Sequence, residues 1–463
     1  MNRYSHCLLL LAAGTLATCA DGDTPLAPPP GASLSSAAVA ALEESYLVRF
    51  NGPVPARFAE RVAGLGGSVI FVHGGAGIGA VAGLSPRAAA ELGALPGVGA
   101  VAADDATVLE AETPALASAA DPSSAWGFPM QWNLRAIGAP GAWAAGRLGS
   151  PAVRVAILDT GLDYEHPELA GRVDLAASRS FVPSEDALVA ASFPGAHPVA
   201  DIHYHGTMVG ATVSSNGIRL AGVTSGVTLV GLKVCRIDGR CPVSGVLSAV
   251  LYAADQGIDV ANLSLGTSFL RRDSSAAHVD GPSFVSIVNR AFTYAHRKGL
   301  TVVAASGNQA VDVDHDGNSF RTYCSAPNVI CVSATGPTAA ATQIGPFTDV
   351  DAPAPYSNHG RSVISVAAPG GTAAAYAWAP CSTFSILIPV CRTNTDLMLG
   401  GLGTSMSAPH VAAAAALVAE DVGREPSRIR ARLEQTADDL GQPGTDPHYG
   451  KGRLNVARAV GAN

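Results

Sequence analysis

Six short apolar runs, at residues 153–158, 227–234, 259–265, 301–305, 329–334 and 363–367, alternate with stretches of helical periodicity along the later part of the chain. Several carry no polar alternation. A strand that is apolar on both faces must be covered on both, and strands joined through helices run parallel. The expected fold class is therefore α/β, a mostly parallel sheet with helices on both faces. Open sheets of this kind place their ligand crevices outside the carboxyl ends of the strands, where the polar residues of these runs gather.

At 463 residues the chain is too long for one typical core and divides into two or three domains. Its 29 basic and 37 acidic residues give a net charge of -8, so it has no broad basic footprint and nucleic acid is not expected as a partner. The amino terminus carries Arg3, an apolar run over residues 8–13 and small residues up to Cys19-Ala20. That order is the order of an export signal, and its apolar run is far shorter than the roughly 20 residues that span a bilayer. Residues 1–20 are read as the signal and 21–44 as a Pro/Ala-rich linker. Leu16-Ala17-Thr18-Cys19 is similar to a bacterial lipobox, which makes Cys19 a lipidation candidate and the one route to a membrane; cleavage after Ala20 competes with it.

Six cysteines remain after Cys7 and Cys19, and six allow 15 pairings. Cys235, Cys241, Cys324, Cys331, Cys381 and Cys391 are expected to bridge as three sequence-local pairs, each closing a short loop in an oxidising compartment.

Residues 45–110 read as a small α+β, ferredoxin-like domain of order βαββαβ: strand 46–50, helix 55–65, strands 68–72 and 78–82, helix 85–95 with a Ser85 cap and Pro86 in its first turn, and strand 98–108. Gly75-Ala76-Gly77-Ile78-Gly79-Ala80 nearly fits a dinucleotide fingerprint but precedes a strand instead of opening a helix, so it reads as a turn. Residues 111–125, rich in Ala, Ser, Pro and Thr, form a linker, and 126–463 the main domain.

Three signals stand out in that domain, each with a bland reading. Asp159-Thr160-Gly161 ends the first run, and a lone Asp there can be a turn former. His205-Gly206-Thr207 opens a helical stretch, where a His can be a polar cap neighbour. Ser405 begins a small-residue helix over residues 405–419, where a Ser can be an N-cap. Together they supply a carboxylate, a base and a nucleophile in the chain order Asp, His, Ser. The α/β-hydrolase order, with Gly-x-Ser-x-Gly first, does not fit.

Asp159-Thr160-Gly161, His205-Gly206-Thr207 and Gly403-Thr404-Ser405-Met406-Ser407-Ala408-Pro409-His410 resemble the three active-site signatures of the subtilase family of serine proteases. The resemblance covers residues 126 to the carboxyl terminus, and residues 45–110 are similar to the family's inhibitory propeptide. Met208-Val209-Gly210 departs from the usual His-Val-Ala-Gly, and His203 is a decoy base without the Gly-Thr continuation. The resemblance implies a secreted endopeptidase made as a zymogen, inhibited by its own propeptide, acting on polypeptides as a monomer and needing no cofactor for chemistry. It makes Ser405 the nucleophile, His205 the base, Asp159 its orienting group and Asn308, in Ser306-Gly307-Asn308, the oxyanion donor. Ser264-Leu265-Gly266 would be the edge that binds substrate by strand addition. With Ser306 and Gly307 it walls the pocket for the residue before the scissile bond, and because these segments carry no charge an apolar preference is expected.

Asp312-Val313-Asp314-His315-Asp316-Gly317 matches the start of a calcium loop, although Tyr323 stands where the closing Glu belongs. Asp312, Asp314 and Asp316 are thus candidate ligands for a structural calcium. Glu168 and Asp163 lie where a family calcium site can occur. Two other readings fit the residues: an exported peptide-binding protein on the same scaffold, and a metal-dependent hydrolase using Asp201, His203 and His205.

Overall fold

A computed structural model of the chain describes residues 45–109, 116–117, 123, 125, 127–270, 281–317 and 319–462. The residues read as a signal, Cys19 and most of the stretch read as a linker after Leu109 lie outside the described residues.

Residues 45–103 have the expected order: β1 (Ser45–Phe50), α1 (Phe58–Gly64), β2 (Ser68–His73), β3 (Ile78–Ala82), α2 (Pro86–Gly93) and β4 (Val98–Ala103). The sheet runs β2-β3-β1-β4 with antiparallel neighbours. Side chains alternate across it, so that Val48, Phe50 and Val81 meet α1 and α2 in a core of their own, whereas Leu47, Ile78 and Ala80 join the core of the larger domain. The strand expected over 98–108 is broken. Asp104 and Asp105 interrupt it, as short acidic residues that favour turns do, and β5 (Ala106–Leu109) enters a different sheet. β6 (Leu116–Ala117) also pairs with the larger domain.

All six apolar runs contain strands. After α3 (Trp132–Ala136) and α4 (Ala139–Ala144) come β7 (Arg154–Asp159), β8 (Arg179–Ser180), α5 (Pro183–Ser192), α6 (His205–Val213), β9 (Thr228–Lys233) and β10 (Arg240–Pro242). Next are α7 (Val243–Asp255), β11 (Val260–Leu263), β12 (Leu265–Leu270), α8 (Gly281–Arg297), β13 (Thr301–Ala305), β14 (Ser319–Thr322) and β15 (Ile330–Thr335). A two-stranded ribbon of β16 (Ala339–Ala340) and β17 (Phe347–Thr348) leads to β18 (Val366–Pro369), then β19 (Ala377–Pro380) and β20 (Met398–Gly401). The chain closes with α9 (Thr404–Val422), α10 (Pro426–Thr436) and α11 (Val456–Ala459).

The central sheet has seven strands in the order β18-β15-β13-β11-β7-β9-β8, every pairing parallel. Alternate residues of each strand serve different helices. Val155, Ile157 and Val303 pack with α6 and α9, and Ala156, Leu158 and Val302 with α7 and α8. This two-sided burial is why the runs lack polar alternation.

Candidate active site

Asp159 ends β7, and the turn after it is pressed against the start of α6. A Cβ on Gly206 would lie 2.1 Å from the Gly161 carbonyl oxygen, so only glycine permits this approach. His205, the first residue of α6, is thereby brought onto Asp159: its Nδ1 lies 2.8 Å from Asp159 Oδ1 and 3.0 Å from Oδ2, with both side chains buried. A carboxylate only accepts, so Nδ1 carries the proton in the neutral ring and Nε2 keeps its lone pair.

Ser405 is the second residue of α9, in the first turn, where backbone N–H groups have no intrahelical acceptor four residues back. Pro409, four residues on, has no N–H to bond the Ser405 carbonyl. The Ser264 hydroxyl takes that place, donating to the Ser405 carbonyl at 2.7 Å. The Ser264 side chain, expected on the substrate edge, thus also fixes the turn that bears Ser405.

Thr404 ties Asn308 to this turn. Its N–H and its hydroxyl each donate to Asn308 Oδ1 at 2.9 Å, which orients the carboxamide, while the same hydroxyl accepts from Gly307 N at 3.0 Å. Behind the loop lies Asn358, fully buried, which donates to the Ser306 carbonyl and accepts from the N–H groups of Gln309 and Val311. A Cβ on Gly307, at φ +99°, would stand 2.4 Å from Asn358 Nδ2. No sequence motif pointed to Asn358, because its bonds are to residues about 50 positions away.

A second carboxylate stands behind the His205–Asp159 pair. Asp201 Oδ1 accepts from the Thr160 hydroxyl at 2.8 Å, and Oδ2 accepts from Thr207 N and the Thr207 hydroxyl at 2.8 and 2.6 Å. The Thr160 hydroxyl in turn accepts from Gly206 N, and Thr160 N donates to Asp159 Oδ1. Asp201 therefore joins the two turns that carry Asp159 and His205. Burial pushes its pKa up to about 6. Desolvation holds His203 neutral, with a pKa pushed down to about 3, and its Nδ1 accepts from His205 N. His410 is likewise neutral, burial lowering its pKa to about 4; it donates through Nδ1 to the Met406 carbonyl and accepts through Nε2 from Asn133. These are fixed, uncharged rings, unlike general bases poised near neutrality.

The edge strand β12 carries Leu265 and Gly266, paired antiparallel with Leu109 and Val108 of β5. On its other side β5 pairs with β10, Thr107 opposite Cys241 and Val108 opposite Arg240. Residues 106–109 thus fill the middle of a four-stranded sheet, β10-β5-β12-β14.

The three expected disulfides are present: Cys235–Cys241, Cys324–Cys331 and Cys381–Cys391. Asp312, Asp314 and Asp316 are separately engaged: Asp312 with His315 Nδ1, Asp314 with the Arg361 and Ser362 N–H groups, and Asp316 with Arg321. They do not present the converging oxygen shell that the pattern suggests. Glu168 accepts from the Ser215 hydroxyl and the N–H groups of Ile218 and Leu220, and Asp163 from Thr383. Among the described residues no three His, Cys, Asp or Glu side chains converge as metal ligands, and no helix is long and apolar enough to cross a membrane.

A parallel α/β scaffold with a buried His–Asp pair and a helix-start serine has the parts of a serine hydrolase. The profile described as "Subtilase family" matches residues 150–452, and the chain belongs to that family. Thermitase of Thermoactinomyces vulgaris is 32% identical over 339 residues, covering 73% of this chain and 99% of the relative. Subtilisin E of Bacillus subtilis is 30% identical over 338 residues, covering 72% and 71%. In fold, the epidermin leader peptide processing serine protease from Staphylococcus aureus matches with TM-score 0.70 at 22% identity, over 90% of this chain and 97% of that one. Fervidolysin from Fervidobacterium pennivorans matches with TM-score 0.67 at 22% identity, over 91% and 61%.

Proposed function

We propose that the chain is an exported zymogen whose endopeptidase centre is Asp159, His205 and Ser405 with Asn308. Ser405 Oγ attacks the carbonyl carbon of a peptide bond while His205 Nε2 takes its proton. The carbonyl oxygen becomes an oxyanion, held by the Asn308 amide and the Ser405 N–H. The C–N bond then breaks and His205 returns the proton to the leaving amine. Water repeats the sequence on the acyl-enzyme, giving its proton to His205 and releasing the acid and the serine. Asp159 keeps the imidazole in the required tautomer and stabilises it when protonated. The observation that carries this reading is the joint fixation of the parts: His205 on Asp159, and Asn308 on the residue preceding Ser405.

The paired strand β5 supports the zymogen reading. It lies between β10 and β12 as an extended substrate would, and its chain leads into the linker in which cleavage is proposed, from Glu110 to Trp126. The segment before it docks on α7 and α8: Asp104 accepts from Ser244 N at the α7 start, and Arg290 of α8 donates to the Phe50 carbonyl. Export, with or without lipid at Cys19, and a monomeric state complete the proposal.

The test is covalent labelling. A fluorophosphonate probe should modify the purified protein, with the adduct on the peptide containing Ser405, and Asn308→Ala should lower kcat about 10²- to 10³-fold with KM little changed. An adduct on a different serine, or none on folded protein, contradicts the assignment.

A further inference from the structure

Beside the uncharged walls expected for the pocket before the scissile bond stands one buried cation. Arg321 lies on β14, opposite Ser268 of β12 and on the far side of that strand from β5. The turn after β14 is held at the end of β13: Cys324, bridged to Cys331 of β15, has its Sγ 3.3 Å from the Ala305 carbonyl, and Ser325 N donates to the Arg321 carbonyl. This carries Arg321, a residue only 8% exposed, to the loop that follows Ala305. Its Nη1 lies 3.4 Å from Gln309 Oε1, and that oxygen is 2.8 Å from where a Cβ on Gly307 would stand. The charge therefore abuts the Ser306–Gly307 loop and the residue next to Asn308, where Gln309 Oε1 also accepts from Asn358 Nδ2 at 2.9 Å. Asp316 Oδ2 lies 3.3 Å from Arg321 Nε. A guanidinium has five N–H donors, more than one carboxylate can take.

The peptide side supplies the complement. Val108 lies opposite Gly266 and Leu109 opposite Leu265; one step further, that edge reaches Ser264, which is bonded to Ser405. The next residue of the chain, Glu110, lies outside the described residues, and the sequence gives its chemistry: a carboxylate.

We propose that Arg321 makes this pocket select an acidic side chain, so that the enzyme cuts polypeptides after glutamate and its own chain after Glu110. The inference rests on the reading of Ser405 as nucleophile and of residues 106–109 as a substrate-like strand. A glutamate entering the pocket exchanges water for a charge-assisted bond, whereas a glutamine brings no charge to the guanidinium. The neutral segments Ser264–Gly266 and Ser306–Gly307 shape the pocket, and Arg321 sets its preference in place of the apolar one their composition suggests.

The matured enzyme is assayed on p-nitroanilides of the sequence Thr-Val-Leu-X, with X as Glu, Gln, Phe or Lys. The expected kcat/KM for Glu exceeds that for Gln by about 10- to 100-fold, and exceeds Phe and Lys as well. In Arg321→Gln the Glu-to-Gln ratio falls to about 1, and in Asp316→Asn, which leaves the guanidinium less neutralised, it rises. The ratio is read within one preparation, so a poorly folded fraction does not imitate the effect. Phe preferred over Glu, or a ratio unmoved in Arg321→Gln, overturns the proposal and leaves the protease reading standing. No hydrolysis of any of the four, with no fluorophosphonate adduct on Ser405, overturns both.

Discussion

At the scale of single residues, the centre depends on groups that never meet a substrate. Asp201 is the clearest: four donors from Thr160, His203 and Thr207 converge on one buried carboxylate. In Asp201→Asn the amide's N–H₂ must face donors that need an acceptor, which loosens the register of His205 against Asp159. We expect kcat to fall about tenfold or more with KM little changed, read by steady-state kinetics. The same variant has a pH signature. Desolvation raises the folded pKa of Asp201 from 3.8 to about 6, with the negative charge of Asp159 adding to it. Between these values the folded chain holds a proton that the unfolded chain has lost, so this group lowers stability as pH rises through the window. The asparagine has no such slope, and the Tm of the variant relative to the parent should increase from pH 4 to pH 6. A difference that stays flat contradicts the buried, shifted carboxylate. Residues of this kind were only partly legible. The Asp-x-His-x-His order around Asp201 carried a metal reading, whereas its partners Thr160 and Thr207 are fixed by contacts that only the folded chain makes. Arg321 had no sequence signal, since its place depends on the pairing of β14 with β12.

At the scale of elements, the six buried runs were legible because covering both faces of a strand removes its polar alternation. The short strands β10, β12 and β14 were harder to see: their partners are distant in sequence, and an edge strand of three to six residues carries little pattern. Yet in the proposed function these are the strands that wall the cleft. β10 is delivered by the loop that Cys235–Cys241 closes, and Cys241 is the residue opposite Thr107, whose hydroxyl also donates to the Cys241 carbonyl. Replacing both cysteines by serine should raise KM roughly tenfold for substrates with four residues before the cut, the worth of one or two backbone bonds, and leave KM for shorter substrates unchanged. An equal loss on long and short substrates would show that the bridge supports the whole fold instead of this wall. The break at Asp104-Asp105 teaches the complementary lesson. The sequence reads as one continuous strand over 98–108, but the chain leaves the first sheet there because the Asp104 carboxylate bonds Ser244 N and the Asp105 carbonyl bonds Val243 N at the start of α7.

At the scale of the molecule, the amino-terminal sheet divides its apolar residues between two cores, its own with α1 and α2 and that of α7 and α8. A domain built this way folds on one face and binds on the other. A separately made polypeptide of residues 45–109 is therefore expected to inhibit the matured enzyme in trans, and Asp104→Ala should weaken that inhibition about tenfold by removing the acceptor for Ser244 N. Titration of peptidase activity against the added polypeptide checks both expectations. In the proposed function one serine, Ser405, carries the chemistry that cuts substrates and frees the enzyme from this domain. The most direct measurement is the intact mass and peptidase activity of purified Ser405→Ala beside the parent chain. Ser405→Ala is expected to be a folded variant that retains the segment before Leu109 in one uncut chain and hydrolyses nothing. Normal cleavage after that segment together with parental activity would contradict it.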